Sequence, residues 1–217
     1  MSSPGYVDSW QTTGDRKTAS AVGRNKDAIV DVLQQMLPAQ GRALEIASGT
    51  GEHVCYFAER FPHWQWQPSE PVEVLRKSIS AWTAFHELSS VAPPKALDLS
   101  VGNWWEVIDD EFDFIFNANM VHISPWQVSQ RLFAGATTLL RQGGQLCLYG
   151  PFFEQDVDAA ESNHRFDASL KERDPDWGIR SRENLEIEAE RHGLVLRTRI
   201  EMPSNNLMLW FGRTKDD

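Results

Sequence analysis

The sequence predicts an α/β fold with a mixed sheet, because short strands alternate with helices along most of the chain and the chain closes on a hairpin that turns one strand antiparallel. Three observations carry this. Ala43 to His53 reads as a buried strand running into a glycine turn and then a helix. Phe112 to Asn119 is nearly continuous in large apolar residues, as a central parallel strand covered on both faces must be. Leu194–Glu201 and Asn206–Phe211 alternate as strands on either side of Met-Pro-Ser-Asn.

Residues 1–22 are polar, rich in Gly, Ser and Thr, and without sustained period, which predicts an N-terminal arm; residues 23–217 form the domain. From Arg24 to Leu37 the positions Ile29, Val32, Leu33, Met36 and Leu37 recur at helical spacing, and Pro38 ends the pattern. A helix from about Glu52 to Arg60 follows the glycine turn and stops at Phe61-Pro62. His63 to Gln67 alternates as a second strand, and a helix starts at Pro71. Lys95 to Leu99 is a third short strand. After the apolar fourth strand, Ser124-Pro125 opens a helix that Gly143-Gly144 closes. Gln145 to Tyr149 is the fifth strand. The segment 152–180 is long, charged and poor in periodicity, with a short helix over Arg165–Arg173, and long irregular insertions are commonly binding loops or lids. A helix over Arg182–His192 precedes the closing hairpin.

Gly49 and Gly51 remove two Cβ atoms where a strand meets a helix, as α/β proteins do where backbone approaches a nucleotide. A dinucleotide fingerprint needs a third glycine where this chain has Val54, which disfavours a nicotinamide oxidoreductase and its pyrophosphate. A nucleoside ligand without pyrophosphate fits two glycines preceded by Glu45 in the strand, and S-adenosylmethionine (SAM) is such a ligand. Glu70 stands about 20 residues after the turn, where a carboxylate accepts both ribose hydroxyls; the alternative is that it caps the next helix. Asp98, near the end of the third strand, either meets an adenine amino group or caps its loop.

The formal charge of −10 and pI near 5.1 argue against nucleic-acid binding, which depends on Lys and Arg against phosphate. Cys55 and Cys147 lie far apart with no CxxC, which predicts a reducing compartment. No leader-like or membrane-spanning run is evident, so no membrane partner and a cytoplasmic location are expected. No metal is expected either, because no His/Cys/Asp/Glu set has metal-site spacing. The Gly-x-Ser-x-Gly nucleophile elbow is missing as well.

Glu-Ile-Ala-Ser-Gly-Thr-Gly-Glu-His, Asn-Met-Val-His-Ile-Ser-Pro-Trp, Leu-Tyr-Gly-Pro-Phe, Glu-Ser-Asn-His-Arg-Phe-Asp-Ala-Ser-Leu, Asp-Pro-Asp-Trp-Gly-Ile-Arg and Glu-Met-Pro-Ser-Asn-Asn-Leu together resemble the methyltransferase-like protein 26 family over about residues 20 to 211. That family is similar to class I SAM-dependent methyltransferases. The resemblance implies a Rossmann-like, seven-stranded mixed sheet with helices on both faces and an antiparallel seventh strand. It implies SAM as cofactor and S-adenosylhomocysteine (SAH) as product. Carried over residue by residue, Glu45, Ala47, Gly49 and Gly51 match the first SAM motif, with Ala47 standing where the common turn has Gly. Glu70 matches the ribose acid, Asp98 the adenine-side acid, and Asn117 and Asn119 the end of the fourth strand.

Methyl transfer is an in-line displacement, so positioning the acceptor supplies much of the acceleration and a base matters chiefly for a hydroxyl or a protonated amine. His122, just after the fourth strand, is the candidate base, and Tyr149 at the end of the fifth strand is the second catalytic candidate. Asn163, Arg165, Phe166 and Asp167 place an amide, a planar cation, a ring and a carboxylate close together, which suits a small polar substrate. Arg165 either holds a substrate carboxylate or pairs on the surface with Glu161 or Asp167. The reading is a SAM-dependent methyltransferase of a small molecule by O- or N-methylation; a SAM-binding module without catalysis is the alternative.

Overall fold

The computed structural model describes residues 10–213, so most of the first half of the expected arm, residues 1–9, lies outside the described residues. The chain divides into two compact units, Met1–Leu97 and Asp98–Asp217.

In the first unit β1 (Gln11–Thr13) and β2 (Arg16–Thr18) pair antiparallel through a turn at Gly14. This hairpin is fastened by backbone groups: Lys17 N donates to Ser78 Oγ at 2.8 Å, and Trp82 Nε1 donates to Lys17 O at 2.9 Å. α1 (Ser20–Met36) buries Val22, Asn25, Ile29, Val30 and Leu33 on one face. It ends where Leu37, which precedes Pro38, adopts extended backbone. β3 (Gly41–Ile46) is buried from Ala43 onward and leads through the glycine turn to α2 (Glu52–Arg60). β4 (Trp64–Pro68) pairs parallel to β3, from Gly41 opposite Trp64 to Glu45 opposite Pro68. Trp64 and Trp66 both point into the core, where Trp66 meets Phe57 at 5.4 Å between ring centres. α3 (Glu73–Phe85) completes the unit.

The expected third strand is reduced to single bridges, Trp66 with Val91 and Ser69 with Lys95. Pro93-Pro94, with no N–H to donate, interrupts the ladder between the two bridges, and beyond them Leu97 N turns back to Lys95 O at 3.1 Å.

The second unit contains β5 (Phe112–Ala118), α4 (Trp126–Leu139), β6 (Leu140–Gly150), β7 (Phe152–Phe153), α5 (Glu161–Arg173), β8 (Arg180–Ser181), α6 (Arg182–Arg191), β9 (Leu194–Met202) and β10 (Asn206–Arg213). β5 and β6 run parallel, and β10 runs antiparallel to both β6 and β9. The antiparallel last strand expected from the sequence is therefore present, lying between β6 and β9. Gly143-Gly144 does not close α4; the helix stops at Leu139 and the glycines lie inside β6 beside a register shift, a usual place for glycine in a strand. Ser124 does not cap α4 with its side chain, because its hydroxyl donates back to Met120 O at 3.1 Å.

The segment 152–180 is ordered into α5 and is clasped at its base by the parallel pairs Phe152–Arg180 and Phe153–Ser181. Among the described residues no helix is long and apolar enough to cross a membrane.

Candidate functional site

In the first unit the chain leaves β3 through Ala47, Gly49 and Gly51, which all adopt positive φ (54°, 56° and 90°). The two glycines serve different ends. A Cβ at Gly51 would lie 2.7 Å from Ile79 Cα, so Gly51 is needed where the turn packs on α3, whereas a Cβ at Gly49 would meet nothing within 4 Å. Gly49 is thus the glycine that presents open backbone, and Gly51 approaches a helix. Ser48 and Ser69 tie the turn to the end of β4: Ser48 N donates to Ser69 O at 2.8 Å, and Ser69 Oγ donates to Glu45 O at 2.7 Å.

Two carboxyl groups belong to this turn. Glu70, 5% exposed, accepts from Gly49 N on Oε2 and from Val72 N on Oε1, each at 3.1 Å. Its tie to the helix start stops at Val72, and its other oxygen reaches the glycine turn 21 residues back. Burial raises its pKa to about 6, against the lowering effect of those two N–H groups and of Arg76. Glu45 is buried more completely, and burial pushes its pKa to about 8, with a bond from Ser48 opposing and the charge of Glu70 reinforcing the shift. At neutral pH Glu45 is a protonated acid. Its Oε2 is buried with no hydrogen-bond partner among the described residues. Glu52, at the start of α2, is occupied by Ala19 N at 2.7 Å and Thr50 Oγ1 at 2.9 Å.

In the second unit Asp98 is exposed and accepts from Ser100 N at 2.8 Å, which closes a turn. Asn117 is buried at the end of β5. Asn119 adopts φ 60° and its N–H donates to Tyr149 O at 2.9 Å, so the two strand ends are joined just where their side chains emerge. His122 is 3% exposed and packs beside Gly150, where a Cβ would make ordinary contact with His122 Nδ1 at 3.5 Å and Asn119 Oδ1 at 3.6 Å. Phe166 covers the imidazole edge-on at 5.5 Å between ring centres. Burial, aided by the Arg180 guanidinium, lowers the His122 pKa to about 4. That overturns the expectation of an imidazole titrating near neutrality: the ring is neutral there, and Nδ1 has no partner among the described residues.

The four residues grouped as a substrate set separate once α5 forms. Asn163 is buried and its Nδ2 donates to Asn205 O at 3.2 Å. Phe166 covers His122. Arg165 points to solvent with its side chain 69% exposed and pairs with Glu161 one turn away at 3.5 Å, which is the surface ion pair and not a substrate clamp. Asp167 is consumed structurally, accepting from Ile179 N at 2.8 Å and pairing with Lys171 at 2.6 Å. Tyr149, buried, accepts from Asn206 Nδ2 at 3.1 Å.

Arg180 was not singled out by the sequence reading, although it ends Asp-Pro-Asp-Trp-Gly-Ile-Arg. Its guanidinium donates to Val121 O at 2.9 Å, to Ser124 O and to Asp176 O at 2.9 Å, while Gly178 N donates to His122 O at 3.0 Å. These bonds fasten the 174–180 segment to the loop that carries His122.

Solved structures of about 13–19% identity share this architecture. An O-methyltransferase family protein from Burkholderia thailandensis superimposes with a TM-score of 0.72 at 15% identity, over 88% of this chain and 59% of its own. An O-methyltransferase family 2 protein from Planctomyces limnophilus in complex with apigenin gives 0.71 at 19% identity, over 90% and 59%. CalO1, a methyltransferase of calicheamicin biosynthesis in its SAH-bound form, gives 0.67 at 13%, over 91% and 61%. The chain spans about half to three-fifths of the length of such structures, and the likeness is one of fold: an α/β, Rossmann-like methyltransferase fold. The family model described as "Protein of unknown function (DUF938)" matches residues 16–213, nearly the whole described chain, and the protein belongs to that family.

Proposed function

We propose that the protein binds SAM and SAH and methylates a small polar molecule on oxygen or nitrogen. The observation that carries the reading is Glu70, a buried carboxylate that accepts from Gly49 N on the open side of the glycine turn. Each of its oxygens takes one backbone N–H and keeps acceptor capacity, which suits the two hydroxyls of a ribose. Glu45 supports the fit, since a buried acid that stays protonated has a proton to donate and an Oε2 without a partner among the described residues. Ala47 and Gly51 shape the turn. The resemblance to the methyltransferase-like protein 26 family points the same way.

SAM supplies an electrophilic methyl group on a sulfonium. The chain's own part is binding and orientation. His122, neutral at working pH, accepts a hydrogen bond and holds an acceptor O–H or N–H in one direction, and its low pKa makes it a positioning group more than a proton sink. The Asn206 bond fixes the Tyr149 hydroxyl. A binding module without catalysis remains the second reading, favoured by that same depressed His122 pKa. We further propose a cytoplasmic protein with no nucleic-acid partner, in keeping with two free buried cysteines and a net charge of −10.

Calorimetry with SAH tests the cofactor assignment. Glu70→Ala is expected to weaken SAH binding by about 1.5–3 kcal/mol, the scale of hydrogen bonds to a charged group. Unchanged SAH affinity, or tighter binding of NAD than of SAH by the unaltered protein, refutes it.

A further inference from the structure

A cavity of about 260 Å³ opens in the second unit beside the start of β10, with Phe152, Asp158, Asn163, Arg199, Glu201 and Asn206 in its wall. Three asparagines of the sequence motifs meet here, and their amide N–H groups face the protein. Asn163 Nδ2 donates to Asn205 O at 3.2 Å, Asn205 Nδ2 to Ser162 Oγ at 3.4 Å, and Asn206 Nδ2 to Tyr149 Oη at 3.1 Å and Pro203 O at 3.2 Å. The amide oxygens of Asn163 and Asn206 accept no hydrogen bond among the described residues, and Asn163 is only 8% exposed. Both residues line the cavity, and their oxygens keep acceptor capacity for a donor from outside the chain.

The charges agree. Glu154, Asp158 and Glu201 line the cavity with one cation, Arg199, and Arg182, outside the wall, also pairs with Glu154 at 3.0 Å, so the surplus charge is that of one carboxylate, Asp158. Arg199 is spent: Nε and Nη2 hold Glu154 at 2.8 and 2.6 Å, and Nη1 holds Glu201 at 2.9 Å. Asp158 has no ion-pair partner among the described residues. The wall therefore offers acceptor oxygens and surplus negative charge, with its guanidinium donors turned to carboxylates.

We propose that this cavity binds a small amine in its ammonium form, of about ten non-hydrogen atoms by its volume, with the nitrogen on the Asn163 and Asn206 oxygens and the carbon body against Phe152 and Leu207. The site stands on the second unit alone. SAH binding is measured in parallel, so that its failure and failure of the cofactor reading are told apart.

The test is an NMR titration of the full ¹⁵N-labelled chain with benzylamine, benzyl alcohol and benzoate, three molecules of similar size and different charge. Benzylamine is expected to shift the side-chain amide signals of Asn163 and Asn206 saturably. Benzyl alcohol is expected to bind about tenfold more weakly, the gap between charged and neutral hydrogen bonds, and benzoate not to bind. Asp158→Asn, on an exposed loop and harmless to folding, is expected to weaken benzylamine about threefold. Asn163→Leu is expected to remove at least about tenfold, in a variant whose amide spectrum stays dispersed. Benzoate binding as well as benzylamine, shifts that map elsewhere, no saturable shift with benzylamine, or indifference to Asp158→Asn would each overturn the proposal.

Discussion

Glu45→Gln isolates the cost of keeping an acid next to the glycine turn. The side chain is 2% exposed, and its pKa rises from an ordinary 4.5 to about 8 through burial above all. Between those two values the folded protein holds a proton that the unfolded chain has released. Stability then falls as pH rises, by about 1.4 kcal/mol for each pH unit, and levels off above the folded pKa. From pH 6 to pH 8 the loss is about 2 kcal/mol, because the slope halves at the folded pKa, and that is a large share of the stability of a domain. Gln keeps the shape and cannot ionise. Its extra N–H donors impose a pH-independent offset, while His53 and His122 titrate in both proteins and cancel in the difference; Glu70, whose charge couples to Glu45, adds to the measured slope. Urea unfolding followed by tryptophan fluorescence at pH 5 to 9 gives that difference directly. The stability of Glu45→Gln relative to the parent is expected to climb steadily up to about pH 8 and then flatten. Parallel stability curves across the whole range would refute the reasoning and place an ionised carboxylate at Glu45.

The acid side runs with the opposite sign. His122 carries a folded pKa of about 4 against an ordinary 6.5, so the folded state binds fewer protons in that window and stability is lost as pH falls through it; His122→Gln should blunt that loss by about 1.4 kcal/mol per unit, read from the same unfolding series. The two turn glycines should separate: Gly49→Ala meets only the left-handed backbone penalty of about 1–2 kcal/mol, whereas Gly51→Ala adds a clash with Ile79 and should cost about 2–5 kcal/mol, checked by chemical denaturation. Arg165→Ala should change stability by less than about 0.5 kcal/mol and leave SAH affinity alone, since it breaks one exposed pair with Glu161.

Much of the fold was legible because its signals are local. The apolar run Phe112–Phe116 and the alternation of Trp64 and Trp66 identify strands without reference to anything far away, and the strand–glycine–helix passage at Ala43–His53 does the same. Where a local sign served a different purpose, the reading failed. Gly143-Gly144 reads as a helix stop, yet the pair eases an irregularity within β6, and Pro93-Pro94 interrupts a strand that the residues after it suggest. The candidate sites show the same division. Glu70, whose spacing suits a ribose acid or a helix cap, accepts from Gly49 N as well as from Val72 N at the helix start. Arg165 and Asp167 are near in sequence to Asn163 and Phe166, but a helix turns neighbours to different sides, and their partners lie one turn along or on the 178–179 backbone. The depressed His122 pKa needs Phe166 and Arg180, which come together with it only after α5 and β8 are placed.

The clasp of β7 and β8 has a consequence for how this unit varies. Two residue pairs close the ends of a long excursion, so the entropy of confining it is settled at the base and depends only weakly on what lies between, since closure cost grows with the logarithm of length. Inside that ring the changes tolerated best are those that keep the ties of Asn163, Phe166 and Asp167 to Asn205, His122 and Ile179. The closure cost is thus met at β7 and β8, while the side chains of α5 decide what lies beside His122.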